Sequence, residues 1–195
     1  AHLIPTLHAD GPEIGLVDLA GAARQADIEM IVIGLSVSSD AAEISALRRA
    51  GVPVAELDLF PWDPRAVART AKLLREQRVE IVPTHLPQAD VVGAAAAARN
   101  RTPAVSTLHR IHNEPADRVD RLKRSAKILA RQRFMTRTIA ISQRQRAWYR
   151  SLAGTDTDVL LVPNGVVDPG LPDDGLRARR RAALEVADTD VVALS

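Results

Sequence analysis

The sequence contains no cysteine, few aromatic residues and no long apolar run, and each absence excludes a class of protein or site. Without cysteine the chain forms no disulfide, no thiolate metal site and no cysteine nucleophile. No stretch approaches the roughly 18 uninterrupted apolar residues of a membrane-spanning helix. The first residues, "AHLIPTLHADG", lack the basic and apolar segments of a signal peptide. Together these features favour a cytoplasmic protein.

The basic residues of this chain are unevenly distributed. The formal net charge is only +2, yet residues 118–150 hold eleven Arg or Lys and a single acid, Asp120. Such a local field favours an anionic partner such as phosphate, acidic lipid or nucleic acid. A solvated helix face would give the same pattern, so both interpretations are open at this point.

Short β-branched segments alternate with longer segments of helical periodicity. The expected strands are residues 2–7, 28–35, 53–57, 79–85, 103–109, 136–142 and 158–163. The expected helices are residues 13–26, 40–50, 64–77, 89–100, 117–134 and 143–153. The third helix has Asp63 as its expected N-cap and Pro64 at its first position. This alternation predicts an α/β fold, a Rossmann-like doubly wound parallel sheet with helices on both faces.

A change of composition marks the end of this domain. The segment "PNGVVDPGLPDDG" (163–175) contains three Pro, three Gly and three Asp, which is typical of a linker. A basic helix, "LRARRRAALEV", and the start of a strand, "DVVALS", follow it. We therefore expect one domain over residues 1–168, and over 169–195 a linker with the first elements of a second domain.

Two histidines follow neighbouring strands of the expected sheet. In parallel sheets ligands bind at the carboxyl ends of the strands, and His85 and His109 both lie at such ends. An imidazole there can accept a proton or bind a sugar hydroxyl, and Arg110 can pair with a phosphate. The alternative is that either histidine only ends a strand. His109 and His112 have no carboxylate or cysteine in a ligand pattern with them, so no metal site is expected.

The loop after the first strand, "HADGPEIG", contains a glycine that would let backbone N–H groups approach a phosphate. A tight turn that needs Gly11 is the alternative interpretation. Three residues separate Gly11 from Gly15, so the dinucleotide fingerprint G-x-G-x-x-G is absent. This argues against a nicotinamide-dependent oxidoreductase.

Six pieces of sequence, taken in order, resemble one known family. They are "LHADGPEIGLVDLA", "LRRAGVPVAELDL", "VEIVPTHLPQADVVGAAAA", "PAVSTLH", "TIAISQ" and "LLVPNGVVD". Their order and spacing resemble the N-terminal domain of family 4 retaining glycosyltransferases of the GT-B fold. The resemblance implies an acceptor-side domain that faces a donor-side domain across a cleft, with a nucleotide-sugar as donor and a sugar, lipid or small molecule as acceptor.

The resemblance also implies roles for individual residues. Gly11 and Glu13 match the second glycine and the acid of the family's Gly-Gly-Ala-Glu loop, which approaches the donor diphosphate. His85 matches a strand-end histidine of the acceptor pocket, and His109 matches the histidine near the anomeric carbon. Asn164 belongs to the "P-N-G-V-D" turn that closes the domain. Asp10 and Pro12 stand where that loop has its first glycine and its alanine. At this point the chain departs from the pattern, and an aspartate beside a diphosphate would repel it.

The mechanism that the resemblance implies retains the anomeric configuration and uses neither a metal nor a cofactor. The donor phosphate helps to deprotonate the acceptor, and the protein positions both substrates and stabilises diphosphate charge. The family's paired glutamates belong to the C-terminal donor domain of the same polypeptide, so a chain ending at Ser195 is expected to be inactive alone.

A second hypothesis concerns residues 118–150. Val119, Leu122, Ala126 and Leu129 form an apolar stripe among basic residues, which either packs on the sheet or lies on an anionic membrane. The chain would then be a non-catalytic module that binds anionic lipid or phosphate surfaces, or a glycosyltransferase peripheral to the membrane. Nucleic acid is the weaker partner, because no recognised binding motif accompanies the charge and the chain has few aromatic residues for stacking.

Overall fold

The computed structural model describes residues 1–7, 11–37, 41–60, 63–111, 117–165, 170, 173–187 and 189–192. The chain divides into two compact units, Ala1–Gly165 and Val166–Ser195. The break lies within the Pro- and Gly-rich segment that the sequence indicates as a linker. Each unit is described by itself below.

The first unit is built on a seven-stranded, all-parallel sheet of order β3-β2-β1-β4-β5-β6-β7. The strands are β1 (His2–Ile4), β2 (Val32–Gly34), β3 (Val54–Glu56), β4 (Val82–His85), β5 (Ala104–Leu108), β6 (Arg137–Ala140) and β7 (Val159–Leu161). Every expected strand is present, each shorter than its apolar segment. The prediction of a doubly wound parallel sheet is confirmed.

Helices connect successive strands. They are α1 (Gly11–Gln25), α2 (Ala41–Arg49), α3 (Ala66–Glu76), α4 (Pro87–Asn100), α5 (Arg118–Phe134) and α6 (Gln143–Ala153). The chain leaves β1 toward β2 and β3, and later returns to build β4–β7 on the other side of β1. Because crossovers between parallel strands are right-handed, this reversal places α1 and α2 on one face of the sheet and α4–α6 on the other.

The two faces have separate apolar cores. On one face Ile4 and Val32 pack with Leu16 of α1 and Leu47 of α2. On the other face the core includes residues of β1, β2, β4, α3 and α4, namely Leu3, Ile33, Val82, Leu74 and Val92. Burial of these side chains on both faces explains why the strands are nearly continuously apolar.

Helix α4 lies unusually close to the sheet at Gly93. A Cβ atom there would come within 2.5 Å of the Thr84 Cγ2 and 3.0 Å of the Leu3 Cδ2. Small side chains along the inner face, including Ala89, Ala96 and Ala97, are buried as well. The alanine-rich segment is therefore a helix packed closely on the sheet. Its amino end lies at the strand ends because α4 begins at Pro87, two residues after β4 ends at His85.

The start of α3 differs from the expected one. The helix begins at Ala66, whereas Asp63 and Pro64 form a turn before it. The Arg65 N–H donates to the Asp63 carboxylate at 2.8 Å, and the Arg65 guanidinium donates to the same carboxylate at 2.7 Å. These hydrogen bonds lower the pKa of Asp63 to about 2. The Asp63 carboxylate therefore closes the turn before the helix by accepting from the Arg65 N–H, and Asp63 is not the N-cap of α3.

The second unit contains α7 (Asp174–Ala183), whose N-cap Asp173 accepts a hydrogen bond from the Gly175 N–H. Val191 and Val192, which begin the last expected strand, are not in a strand, and residues 193–195 lie outside the described part of the chain. Within the described residues of both units, no helix is long and apolar enough to cross a membrane.

Candidate functional site

The candidate site lies where β4 and β5 end, beside the amino end of α4. His85 is the last residue of β4, and His109 follows β5 directly. Because His85 pairs in register with Thr107, both histidines reach the same edge of the sheet. The His85 Nδ1 and the His109 Nε2 are 2.8 Å apart and share a hydrogen bond. The structure therefore brings together the two histidines that the sequence indicates.

A depression of about 270 Å³ opens beside His109. Its lining comes from the ends of β4 and β5 and from α4, α5 and α6, and consists of Leu86, Pro87, Thr107, Leu108, His109, Arg110, Arg131 and Trp148. We call it the His109 depression. This volume includes space open to solvent, so the depression is an open surface feature and not an enclosed ligand pocket.

A buried polar network supports the floor of the His109 depression. The Arg131 Nη2 donates to the Asp90 Oδ2 at 2.5 Å, and the Arg131 Nε donates to the same oxygen at 2.9 Å. The Thr84 hydroxyl donates to the Asp90 Oδ1 at 2.6 Å, and the Ser106 hydroxyl accepts from the Arg131 Nε at 3.2 Å. We call these four residues the Asp90–Arg131 network. Its charges are paired, so it fixes α4 and α5 to the sheet.

Burial keeps the imidazoles of the site neutral near pH 7. It lowers the pKa of His85 well below the ordinary value of 6.5, and the neighbouring His2 and His109 add to this effect. Burial also lowers the pKa of His109, although the carboxylate of Asp90 opposes the shift. A neutral imidazole has one donor and one acceptor nitrogen, which suits a hydroxyl ligand better than an anion.

The residue between His85 and α4 has a strained backbone. Leu86, the N-cap of α4, has φ 72° and ψ 154°, a combination that glycine alone adopts readily. Pro87 follows at the first position of the helix, where its missing N–H costs nothing. The chain holds Leu86 in this conformation while turning sharply from the strand into a helix at the edge of the depression.

Three other predicted site residues, Gly11, Glu13 and Asn164, do not line the described part of the His109 depression. Asn164 is exposed after β7, two strands away from β5, and does not line the described part of the depression. Gly11 is the first residue of α1, but the side chains of residues 11–14 are not described. His112 lies outside the described residues. Among the described residues, no cluster of three potential metal ligands occurs.

Sequence reasoning missed two residues that line the site. Trp148 lies on α6 within a basic segment, and the sequence signal that distinguishes it is that the chain has only two tryptophans. Arg131 belongs to the basic stretch 118–150, but it is buried, and its guanidinium stacks 5.8 Å above the centre of the Tyr149 ring. One arginine among seven basic residues of α5 thus serves the core, and helical position alone distinguishes it.

The apolar stripe of α5 does not pack on the sheet at its three described side chains; the side chain of Ala126, the remaining member, is not described. Val119, Leu122 and Leu129 are 57%, 72% and 63% exposed. Instead Ile128 packs against the core of β5, β6 and α6. Of the two interpretations of this stripe, packing in the core is therefore wrong.

Comparison with known proteins supports one family. The model of Glycosyltransferase Family 4 matches residues 9–168, which is more than half of the chain. A search of curated proteins finds no match.

Solved structures share the fold at low sequence identity. The HepE protein of Anabaena, in complex with UDP, is 22% identical, with a TM-score of 0.76 over 94% of this chain and 49% of its own. A glycosyltransferase from Rickettsia africae is 16% identical, with a TM-score of 0.71 over 96% of this chain and 50% of its own. A UDP-GlcNAc 2-epimerase from Neisseria meningitidis reaches 0.62 at 11% identity, covering 96% of this chain and 55% of its own. The chain thus spans about half the length of these proteins, and its fold is the Rossmann-like half of a GT-B structure.

Proposed function

The chain belongs to glycosyltransferase family 4, and we propose that it is the acceptor-side domain of a retaining enzyme that transfers a sugar to a hydroxyl group. The donor-side domain would follow beyond Ser195 in the same polypeptide. Two observations support this arrangement: the chain spans about half the length of its structural relatives, and the His109 depression is open to solvent, where a second domain could cover it. Alone, the chain would bind acceptor without catalysing transfer.

The observation that carries the proposal is the set of side chains around the His109 depression. The neutral imidazole of His109 would bind the acceptor hydroxyl and orient it toward the anomeric carbon. Trp148 offers an apolar ring face on which a sugar ring can stack. Arg110 lines the same depression and supplies a positive charge toward a donor phosphate. Arg131 is paired with Asp90, so its role is structural.

For the donor we propose a nucleoside diphosphate sugar. The Anabaena HepE structures contain UDP, UDP with glucose, or UDP-glucose, which makes a uridine nucleotide the first candidate. Gly11 and Glu13 would approach the diphosphate from the amino end of α1, where backbone N–H groups favour an anion. The reaction would need neither a metal nor a cofactor, because phosphate charge would be balanced by N–H groups and cations of both domains.

The test uses a polypeptide that carries both the acceptor-side and the donor-side domain. His109→Ala is expected to lower kcat by at least about 100-fold, because the acceptor loses its positioning group. Trp148→Ala is expected mainly to raise the acceptor KM, about tenfold, through lost stacking. Ala147→Ser, at another exposed position of the same helix α6, is the matched control and should change neither constant. Full activity of His109→Ala would refute the proposed site.

A second candidate function rests on the exposed stripe of α5. Val119, Leu122 and Leu129 face solvent within a helix that contains seven basic residues and one acidic residue, Asp120. An exposed apolar face among basic side chains is typical of helices that lie in an anionic membrane interface. We propose that α5 places the enzyme on such a surface, where a lipid acceptor would be within reach.

Sedimentation with lipid vesicles tests this second candidate. The chain should bind phosphatidylglycerol-containing vesicles and leave pure phosphatidylcholine vesicles unbound. Leu122→Glu should weaken binding at least about tenfold, because a buried leucine contributes roughly 1.5–3 kcal/mol. Leu19→Glu, at an exposed leucine of α1, is the matched control and should bind normally. Equal binding of both variants would exclude α5 as the contact.

A further inference from the structure

A third histidine extends the pair at the site into a row. The His2 Nδ1 lies 2.9 Å from the His85 Nε2, and the His85 Nδ1 lies 2.8 Å from the His109 Nε2. The ring centres are 5.2 Å and 5.0 Å apart, with the first two rings nearly parallel at 15°. We call His2, His85 and His109 the histidine row. Both nitrogens of the central ring are engaged.

The register of the sheet produces this row. Leu3 pairs with Thr84, so His2 and His85 project to the same face with His85 two positions nearer the carboxyl edge. His85 pairs with Thr107, so His109 lies two positions farther again in the same direction. The three side chains therefore form a diagonal line across β1, β4 and β5. The line runs from the body of the sheet to the His109 depression.

The row allows only two arrangements of protons when every ring is neutral. Each hydrogen bond needs one proton between its two nitrogens, and each neutral ring carries one proton. Either all three rings are protonated at Nδ1, or all three are protonated at Nε2. Any mixture leaves one of the two close nitrogen pairs with no proton between them, or with two.

The surroundings support neutral rings. Burial lowers the pKa of His2 to about 4 and lowers the pKa of His85 well below its ordinary value. The charged groups that face His109 are Asp90 of α4 and Arg110 of the β5 loop, and Asp90 is neutralised by Arg131 of α5. The protonation pattern is thus governed by the hydrogen bonds between the rings.

We propose that His2 and His85 are positioning residues that hold His109 in one tautomer, and so decide whether its Nδ1 accepts or donates a hydrogen bond at the depression. The proposal rests on the proposed function only for the identity of the ligand, a sugar hydroxyl. His85 is hydrogen-bonded to the Nε2 of His109, and within the described residues no hydrogen bond is made by the His109 Nδ1. The Nδ1 is therefore the nitrogen that a ligand would meet. His2 therefore influences a ligand that it does not touch.

A change from one arrangement to the other is a balanced proton transfer. One proton binds to the His109 Nδ1, each of the two shared protons crosses its hydrogen bond, and one proton leaves the His2 Nε2 for water. Every ring is neutral before and after the transfer. His2 is partly buried, and in this proposal water at its exposed part receives that proton.

Long-range nitrogen–proton NMR spectra of the ¹⁵N-labelled chain test the proposal, since they report the tautomer of each histidine. At pH 7.5 the three rings should share one tautomer. His2→Phe should change the tautomer populations of His109, whereas His2→Asn, whose amide can replace the imidazole Nδ1, should preserve them. Opposite tautomers in His85 and His109, or unchanged His109 signals in a folded His2→Phe variant, would overturn the proposal.

Activity of the longer polypeptide separates this proposal from the proposed function. His2→Phe should lower kcat/KM for the acceptor about tenfold, the effect of one misdirected hydrogen bond, and His2→Asn should restore most of it. If His109→Ala is fully active, the proposed function fails even though the tautomers are shared. If the tautomers are independent, the histidine row fails even though His109 is essential.

Discussion

The half of the sheet that contains β1–β3 and the half that contains β4–β6 differ in what they bury, and we call these halves the two sides of the sheet. The side built from β1–β3 with α1 and α2 has an apolar core. Among the described residues before Asp63, no polar side chain is fully buried, and His2 of β1 is partly buried. The side built from β4–β6 buries seven polar or charged residues, which are Thr84, His85, Asp90, Ser106, Arg131, Thr138 and Gln145. The strands of the two sides have similar apolar sequences, so the difference between the sides is visible only in which side chains the structure buries. One side is stabilised by area removed from water and the other also by paired polar groups.

Removing one charge of the Asp90–Arg131 network should give the largest effect and break the comparison most clearly. Asp90→Asn leaves the buried guanidinium of Arg131 unpaired, which is expected to lower the free energy of unfolding by about 3–5 kcal/mol. The double variant Asp90→Leu with Arg131→Met should recover most of that loss, because no buried charge remains. Urea unfolding curves of the three proteins measure this.

A matched change on the apolar side sharpens the result. Leu47→Ala, at a fully buried position of α2, should cost a similar 2–5 kcal/mol through a cavity. No second substitution of a polar partner can compensate for it. Recovery confined to the β4–β6 side would support the comparison, whereas an undiminished loss in the Asp90→Leu and Arg131→Met double variant would contradict it.

Acid should destabilise the chain through the histidine row. The pKa of His2 is about 4 in the folded chain, against 6.5 for the ordinary residue. Between these values the unfolded chain binds a proton that the folded chain excludes, so stability is intact above pH 6.5 and falls as the pH drops toward 4. The expected loss from His2 is on the order of 3 kcal/mol.

His2→Asn isolates that contribution. Asparagine does not titrate, and both proteins contain the same carboxylates. Subtracting the stability of His2→Asn from that of the original chain at each pH therefore cancels the carboxylate contribution and leaves that of His2. Thermal unfolding from pH 8 to 4 should show a shallower slope for His2→Asn. Parallel slopes would mean that His2 is protonated as easily in the folded chain as in the unfolded one.

Relief of backbone strain should give the smallest effect. Leu86 has φ 72° and ψ 154°, and such a conformation costs a non-glycine residue roughly 1–3 kcal/mol. Leu86→Gly should raise the free energy of unfolding by about 1 kcal/mol, since the flexibility of glycine in the unfolded chain offsets part of the gain. Leu86→Ala keeps the strain and is the control. Stabilisation by both variants would assign the effect to the side chain instead.

The sequence predicts the elements of this fold well because each has a local signal. Strands such as Val82–His85 are apolar on both faces, and α3 repeats its apolar residues at helical spacing. The strand-end rule also identifies His85 and His109. Asp63 shows the limit of local signals, because the same carboxylate can cap a helix or close the turn before it.

Features that depend on tertiary register could not be predicted. His2 and His85 are 83 residues apart, and only the pairing of β1 with β4 brings their rings together. Arg131 resembles the other arginines of α5 until the helix is placed against Asp90. The exposed stripe of α5 misleads for the opposite reason, since apolar spacing indicates a face but not its partner.

The position of β1 inside the sheet, between β2 and β4, has a consequence for folding during synthesis. β1 can pair with β2 as soon as about 35 residues have emerged, but its other edge has no partner until β4 follows some 80 residues into the chain. Contacts of such long sequence separation form slowly, and an unpaired edge promotes association with other chains. The apolar side would be complete while the nascent chain still lacks His85 and His109. The site then forms only after β4 and β5 have joined the sheet, and a ribosome pause before β4 would prolong the interval in which the open edge is exposed.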